Sequence, residues 1–179
     1  MKEKYGYLII GGGVIGMATA LELVKKGVRV AIFDRGQLGM EASWAAGGIL
    51  SSMRPWAENP ASAQLSEMGK SMYLAFTEDL KDQTGIDPEY YRTGLNIINR
   101  EHIDNIKQWA LISNIEVSQE VEGSVKDIHL PTFAVHLPEI AQVRPPKLIK
   151  ALKASLKQRG VSIYENTEIE NIVIRNNRF

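Results

Sequence analysis

Apolar positions change their period along this chain, and the changes mark its elements. Leu8-Ile9-Ile10 is a short continuous apolar run, the pattern of a strand buried on both faces. From Val14 to Lys26 the apolar or small residues Gly16, Met17, Ala20, Leu21 and Val24 recur at helical spacing, and Gly27 stands just past the end as a C-terminal cap. Val28, Val30, Ala31, Ile32 and Phe33 then form a second strand that ends at Asp34. One strand–helix–strand unit therefore occupies the start of the chain, with the short connections such units use.

Residues 35–60 carry no period and hold Gly36, Gly39, Gly47, Gly48, Pro55 and Pro60, the pattern of a functional or mobile loop. Leu65, Met68, Met72, Ala75, Phe76 and Leu80 then trace an amphipathic helix, with Ser62 as its expected N-cap and Gly85 as its stop. A strand is expected over Tyr90–Asn99 and a helix over Glu101–Ile112; strands and loops follow from Ile115 to Leu137. Pro145-Pro146 opens a helix carrying Leu148, Ile149, Leu152 and Leu156, closed by Gly160. A strand over Val161–Glu165 and another through Ile169, Ile172 and Ile174 complete the pattern. Asn176-Asn177 suits a hairpin turn, yet only Arg178 and Phe179 follow it. The expectation is a fold that is incomplete without a C-terminal half, supplied by the same protein or by a second chain.

Composition narrows the class. At 179 residues with 44% hydrophobic positions, the chain suits one packed domain or a little more. Lys plus Arg equals Asp plus Glu at 21 each, so no net field favours nucleic acid or an anionic membrane. No apolar run approaches a membrane span, and the cytoplasm is the expected location. There is no cysteine, which excludes a disulfide or a thiol nucleophile within these residues. His102, His129 and His136 form no metal-ligand spacing, so no metal is expected. Lys147, Lys150, Lys153 and Lys157 fall at helical spacing and read as a solvated helix face.

The chemistry lies in Gly11-Gly12-Gly13-Val14-Ile15-Gly16, a G-x-G-x-x-G between a strand and a helix. Gly11 suits the tight turn, Gly13 the close approach of backbone to phosphate, and Gly16 the packing of helix on strand. Amides at the helix N-terminus then face an anion, for which a dinucleotide pyrophosphate is the natural candidate. Asp34 follows Gly16 by 18 residues, near the spacing of a ribose ligand. A carboxylate there disfavours a 2′-phosphate, although Arg35 beside it keeps one possible; NAD and FAD are not separated by this motif.

The second strand is followed by Gly39-Met40-Glu41-Ala42-Ser43-Trp44-Ala45-Ala46-Gly47-Gly48-Ile49-Leu50. With this loop, in this order, the chain resembles the N-terminal part of the D-amino-acid oxidase family of FAD-dependent oxidases, and within it the glycine oxidases of thiamine biosynthesis. Val143-Arg144-Pro145-Pro146, the helix behind it and Val161–Ile169 extend the likeness. The resemblance implies an α/β fold: a Rossmann-like FAD-binding domain with a parallel sheet, over 1–50 and 138–179, plus part of a mixed α+β substrate domain over 51–137. It implies that Gly11, Gly13, Val14, Ile15 and Gly16 hold the pyrophosphate of FAD and that Asp34, flanked by Arg35, binds the adenosine ribose. It assigns Ala42 and Ser43 to the pyrophosphate–ribityl region, Gly47, Gly48 and Ile49 to the isoalloxazine, and Ile169 to the adenine.

The activity so implied is oxidation of a small amino acid, glycine-type, by hydride transfer from its α-carbon to the flavin. Hydrolysis of the imine and reoxidation by dioxygen to peroxide follow. The arginine that pairs with the substrate carboxylate in this family belongs to the C-terminal half, and Arg54, Arg92 and Arg144 are more simply surface or loop residues. No catalytic residue is therefore assigned. A sarcosine- or imino-acid-type oxidase or dehydrogenase of the same fold, a non-catalytic FAD-binding subunit needing a partner chain, and an NAD-dependent dehydrogenase are the rivals; the small-residue loop argues against the last. The family likeness suggests a homo-oligomer.

Overall fold

The computed structural model describes residues 4–51, 55–57, 59–97, 103–112 and 135–173. These fall into two compact units. One holds Met1–Gly47, Thr77–Pro88 and Arg144–Phe179; the other holds Gly48–Phe76 and Glu89–Val143.

In the first unit, β1 (Tyr7–Ile10), β2 (Val30–Phe33) and β7 (Ser162–Tyr164) form a parallel sheet in the order β1-β2-β7. The register pairs Ile9 with Ile32 and Ile32 with Ile163. Helix α1 (Val14–Lys25) links β1 to β2, and α4 (Pro145–Gln158) precedes β7. Both helices bury one stripe: Met17, Ala20 and Leu21 on α1, Leu148, Leu152 and Leu156 among others on α4. Each fully buried leucine contributes about 1.5–3 kcal/mol relative to exposure.

The central strand is the one the apolar pattern describes best, since Val30, Ala31 and Ile32 are all buried. The expectation for β1 is corrected: Leu8 is 51% and Ile10 59% exposed. β1 is a sheet edge, and among the described residues no strand pairs with its outer side. The strand expected through Ile169 and Ile172 is likewise absent, because residues 165–173 take no ladder partner; Ile174 and the Asn176-Asn177 turn lie outside the described residues.

Helix α2 (Pro60–Thr84) begins earlier than its apolar period suggests. Asn59, not Ser62, is the cap: its Oδ1 accepts the Ala61 N–H at 2.9 Å, and Pro60 stands in the first turn where a missing N–H costs nothing. Residues 60–76 of α2 belong to the second unit and 77–84 to the first. Leu80 is buried as expected, but Leu65, Met68 and Met72 are exposed, with nothing packed over that stripe among the described residues.

In the second unit the run expected as one strand over Tyr90–Asn99 is two, β3 (Tyr91–Arg92) and β4 (Leu95–Ile97). Gly94 divides them at φ +67°, where a side chain is disfavoured, and a Cβ there would overlap the His136 ring. β3 pairs antiparallel with β6 (Ala141–Gln142) and β4 with β5 (Val135–Leu137). Helix α3 (Ile103–Ile112) supplies Ile106 to a core with Leu137 and Ile140, against which Trp56 and Trp109 pack. The remainder of the Ile115–Leu137 stretch and His102 and His129 lie outside the described residues.

Candidate cofactor-binding site

The site of the first unit is built where β1 and β2 end. Gly11 adopts φ +101°, and its N–H donates to the Phe33 carbonyl at 2.8 Å, tying the turn to the end of β2. Gly16 sits one helical turn on, so close that a Cβ would overlap the Gly11 carbonyl oxygen and stand 3.3 Å from Ile9 Cγ2. This is the close helix–strand approach that only glycine permits. A Cβ added at Gly11 or at Gly47 meets no heavy atom within 4 Å, so open space lies beside both backbones. Ile15, on the exposed side of the first turn of α1, is 79% exposed.

Helix α1 has no side-chain cap from Gly13. Its Val14 N–H donates instead to Ser43 Oγ at 2.9 Å, a cap delivered from 29 residues away. Ser43 Oγ also lies 3.1 Å from where a Gly13 Cβ would be. The hydroxyl thus stands at the positive end of the helix, the place where an anion is favoured.

Asp34 ends β2 with its carboxylate turned back on the glycine turn. Its Oδ2 accepts the Gly12 N–H at 2.6 Å and its Oδ1 the Gly36 N–H at 2.8 Å. Each oxygen keeps acceptor capacity for a hydroxyl. Arg35 forks onto Glu41, with Nε and Nη2 at 3.2–3.3 Å from its carboxylate oxygens, both side chains well exposed. That pairing engages the arginine that follows Asp34 in sequence, and Ala42 beside Glu41 is exposed. Trp44 lies under the Lys150 ammonium at 5.9 Å from the ring centroid, so Lys150 is not simply solvated.

Segment 164–167 clamps the residues after β2. The Asp34 N–H donates to the Tyr164 carbonyl at 3.0 Å; the Thr167 and Asn166 N–H groups donate to the carbonyls of Asp34 and Gly36 at 2.8 and 2.9 Å. Glu165 Oε1 accepts the Leu38 N–H at 2.7 Å and the Lys153 ammonium at 2.6 Å. Burial pushes the Glu165 carboxyl up, but the Lys153 and Leu38 bonds and the charges of Lys153 and Lys157 outweigh it and hold it below the ordinary carboxylate value. Ile169 lies two residues beyond Thr167 and is half-buried.

The structure therefore gathers Gly11, Gly13, Val14, Gly16, Asp34 and Ser43 around one turn. Gly48 and Ile49 belong to the second unit, where the Gly48 carbonyl accepts the Val143 N–H at 2.9 Å and Ile49 bridges Gln142. Arg92 pairs there with Glu139 at 3.3 Å; a hydrogen bond with Tyr90 and the Glu139 charge raise its already high pKa. Arg144 is the N-terminal flanking residue of α4, and Arg54 lies outside the described residues. Sequence reasoning missed Gly12, the donor that orients Asp34, and the Lys153–Glu165 pair. A signal existed for Glu165: it stands just past a strand end, as Asp34 does.

The turn and its acid fit a dinucleotide: an open glycine backbone at a helix N-terminus, with carboxylate acceptors at the end of the next strand. A glycine oxidase from Pseudomonas aeruginosa is 36% identical over 169 residues, covering 90% of this chain and 46% of that protein. The structure of glycine oxidase from Bacillus cereus superposes with a TM-score of 0.86 at 32% identity, covering 97% of this chain and 49% of that one. That of Geobacillus kaustophilus superposes at 0.82 with 29% identity, over 94% and 48%. The chain thus spans about half the length of the relatives it matches. The sequence model of the DAO family, FAD dependent oxidoreductase, matches residues 7–179, and the chain belongs to that family.

Proposed function

We propose that this chain is the FAD-holding portion of an amino-acid oxidase acting on a small amino acid, glycine or its N-methyl analogue sarcosine. One observation carries the reading: Gly16 is packed onto the Gly11 carbonyl while the Asp34 carboxylate is held on the Gly12 N–H, leaving an open backbone turn beside a ribose acceptor. In the first unit, Gly11, Gly13, Val14, Ile15 and Gly16 are assigned to hold the pyrophosphate at the start of α1. Asp34 takes the ribose hydroxyls, with Arg35 alongside, and Ser43 and Ala42 border the pyrophosphate. Gly47, and in the second unit Gly48 and Ile49, are assigned to the flavin ring; Ile169 is assigned to the adenine. Residues 1–50 and 138–179 are assigned to the FAD-binding domain and 51–137 to the substrate domain.

Bound flavin supplies the hydride acceptor and the route to dioxygen, yielding peroxide. The chain's own contribution is orientation: the positive end of α1 stabilises the diphosphate, and the Asp34 network sets the register of the adenosine. The names of the relatives support glycine as substrate; a place in supplying a thiamine precursor is proposed from the resemblance to the glycine oxidases of thiamine biosynthesis. Full turnover is proposed to require a C-terminal portion like that of the relatives, with a homo-oligomer as the working form.

Flavin fluorescence quenching on titration into the full chain tests the first half, and peroxide release from glycine or sarcosine the second. Quenching without turnover by this chain, and turnover once a relative's C-terminal portion is supplied, is the expected result. Absence of flavin binding by folded protein would overturn the reading.

A further inference from the structure

Glu165 is a carboxylate on which three separate segments converge. It follows β7, pairs with Lys153 on α4, and accepts the Leu38 N–H from the turn after β2. Its side chain is 26% and that of Lys153 27% exposed, so both are largely withdrawn from water. Leu38 in turn is 1% exposed, and a Cβ on Gly12 would lie only 2.5 Å from its Cγ. Gly12 is the residue whose N–H holds Asp34. One carboxylate therefore fixes the backbone of Leu38, the side chain of Leu38 backs Gly12, and Gly12 aims the carboxylate expected at the ribose. Lys153 and Lys157 are the charged groups that act on Glu165.

We propose that Glu165, held by Lys153, is a positioning residue for the adenosine half of the bound dinucleotide, acting through Leu38 and Gly12 on Asp34. The inference rests on the reading of this site as an FAD site. It assigns Glu165 no contact with the nucleotide: a charge-assisted bond between a carboxylate and a backbone amide is stiff enough to set a turn in place. Removing that bond frees the Leu38 amide, while the bonds of 164–167 still hold Asp34 and Gly36. With Leu38 no longer fixed behind Gly12, the Asp34 carboxylate spends part of its time in unproductive orientations, which lowers affinity by that fraction.

Affinity for three probes distinguishes this from a purely structural role. In Glu165→Ala, FAD and ADP are each expected to bind about tenfold more weakly, while FMN, which lacks the adenosine, binds as it does to the unaltered chain. Glu165→Gln keeps an oxygen for the Leu38 N–H and is expected to restore most of the FAD and ADP affinity, although its melting temperature falls with loss of the Lys153 pair. Lys153→Met retains the Leu38 bond and shifts FAD affinity by less than about threefold. Circular dichroism confirms that each variant is folded at the titration temperature. Unchanged ADP and FAD affinity in folded Glu165→Ala, or an equal loss for FMN, overturns the positioning role alone. Failure of the unaltered chain to bind FAD or ADP overturns the site reading and this inference together.

Discussion

Two glycines inside helices make opposite predictions when a single methyl group is added. Gly16 lies in α1 and Gly69 in α2, and in both places alanine is the better helix former by about 1 kcal/mol. At Gly69 the new Cβ meets no heavy atom within 4 Å, so Gly69→Ala should gain that amount. At Gly16 the Cβ overlaps the Gly11 carbonyl oxygen, and the Gly11 carbonyl carbon follows at 3.2 Å. The obstruction is backbone and cannot rotate away, so the upper end of the overpacking range applies, about 3 kcal/mol. Subtracting the propensity gain leaves Gly16→Ala less stable by about 2 kcal/mol. For a chain of this size a change of 1 kcal/mol moves the melting temperature by about 2–4 °C. Thermal melts followed by circular dichroism should show Gly16→Ala lower by about 4–8 °C and Gly69→Ala higher by about 2–4 °C. Shifts of the same sign, or a Gly16→Ala chain as stable as the parent, would refute the claim that α1 is seated directly on the β1 turn.

Two further outcomes follow from named bonds. Ser43→Ala removes the acceptor of the Val14 N–H, should cost about 0.5–2 kcal/mol, and should speed hydrogen exchange at Val14; unchanged exchange there would show that the distant cap is not formed. Acid should destabilise the first unit through Asp79 and Glu165. The Asp79 carboxyl is lowered first by its bond from Lys25, then by the Lys25 charge, Gln83 and Arg159, against an opposing contribution from burial. Both carboxyls release protons more readily folded than unfolded, so their stabilisation is complete above the ordinary values of 3.8 and 4.5 and is lost as pH falls through the lower folded values. Denaturant midpoints at about pH 7 and about pH 3 should differ less in Glu165→Gln than in the parent; an equal difference would remove Glu165 from the acid response.

The apolar period located α1, α4 and the buried strand β2, because each presents one dry stripe or two dry faces to the core. The glycine spacing marked the turn between β1 and α1, because the positive φ of Gly11 and the seating of Gly16 on the Gly11 carbonyl both call for glycine. The edge position of β1, the bare Leu65–Met68–Met72 stripe and the division of β3 from β4 at Gly94 were not legible. Apolar pattern reports what a residue could bury, whereas pairing partners and neighbours decide what is buried.

The site divides in the same way. From sequence alone came the residue types a diphosphate and a ribose need, in the order a strand, turn and helix deliver them. Tertiary structure alone decided that Ser43 caps a helix it does not belong to, that Gly12 holds Asp34, and that Glu165 and Lys153 brace the turn beside it. Those bonds join residues 12 to 127 positions apart. Local spacing encodes what a turn can become, and only the packed chain brings a distant carboxylate within reach of its amide.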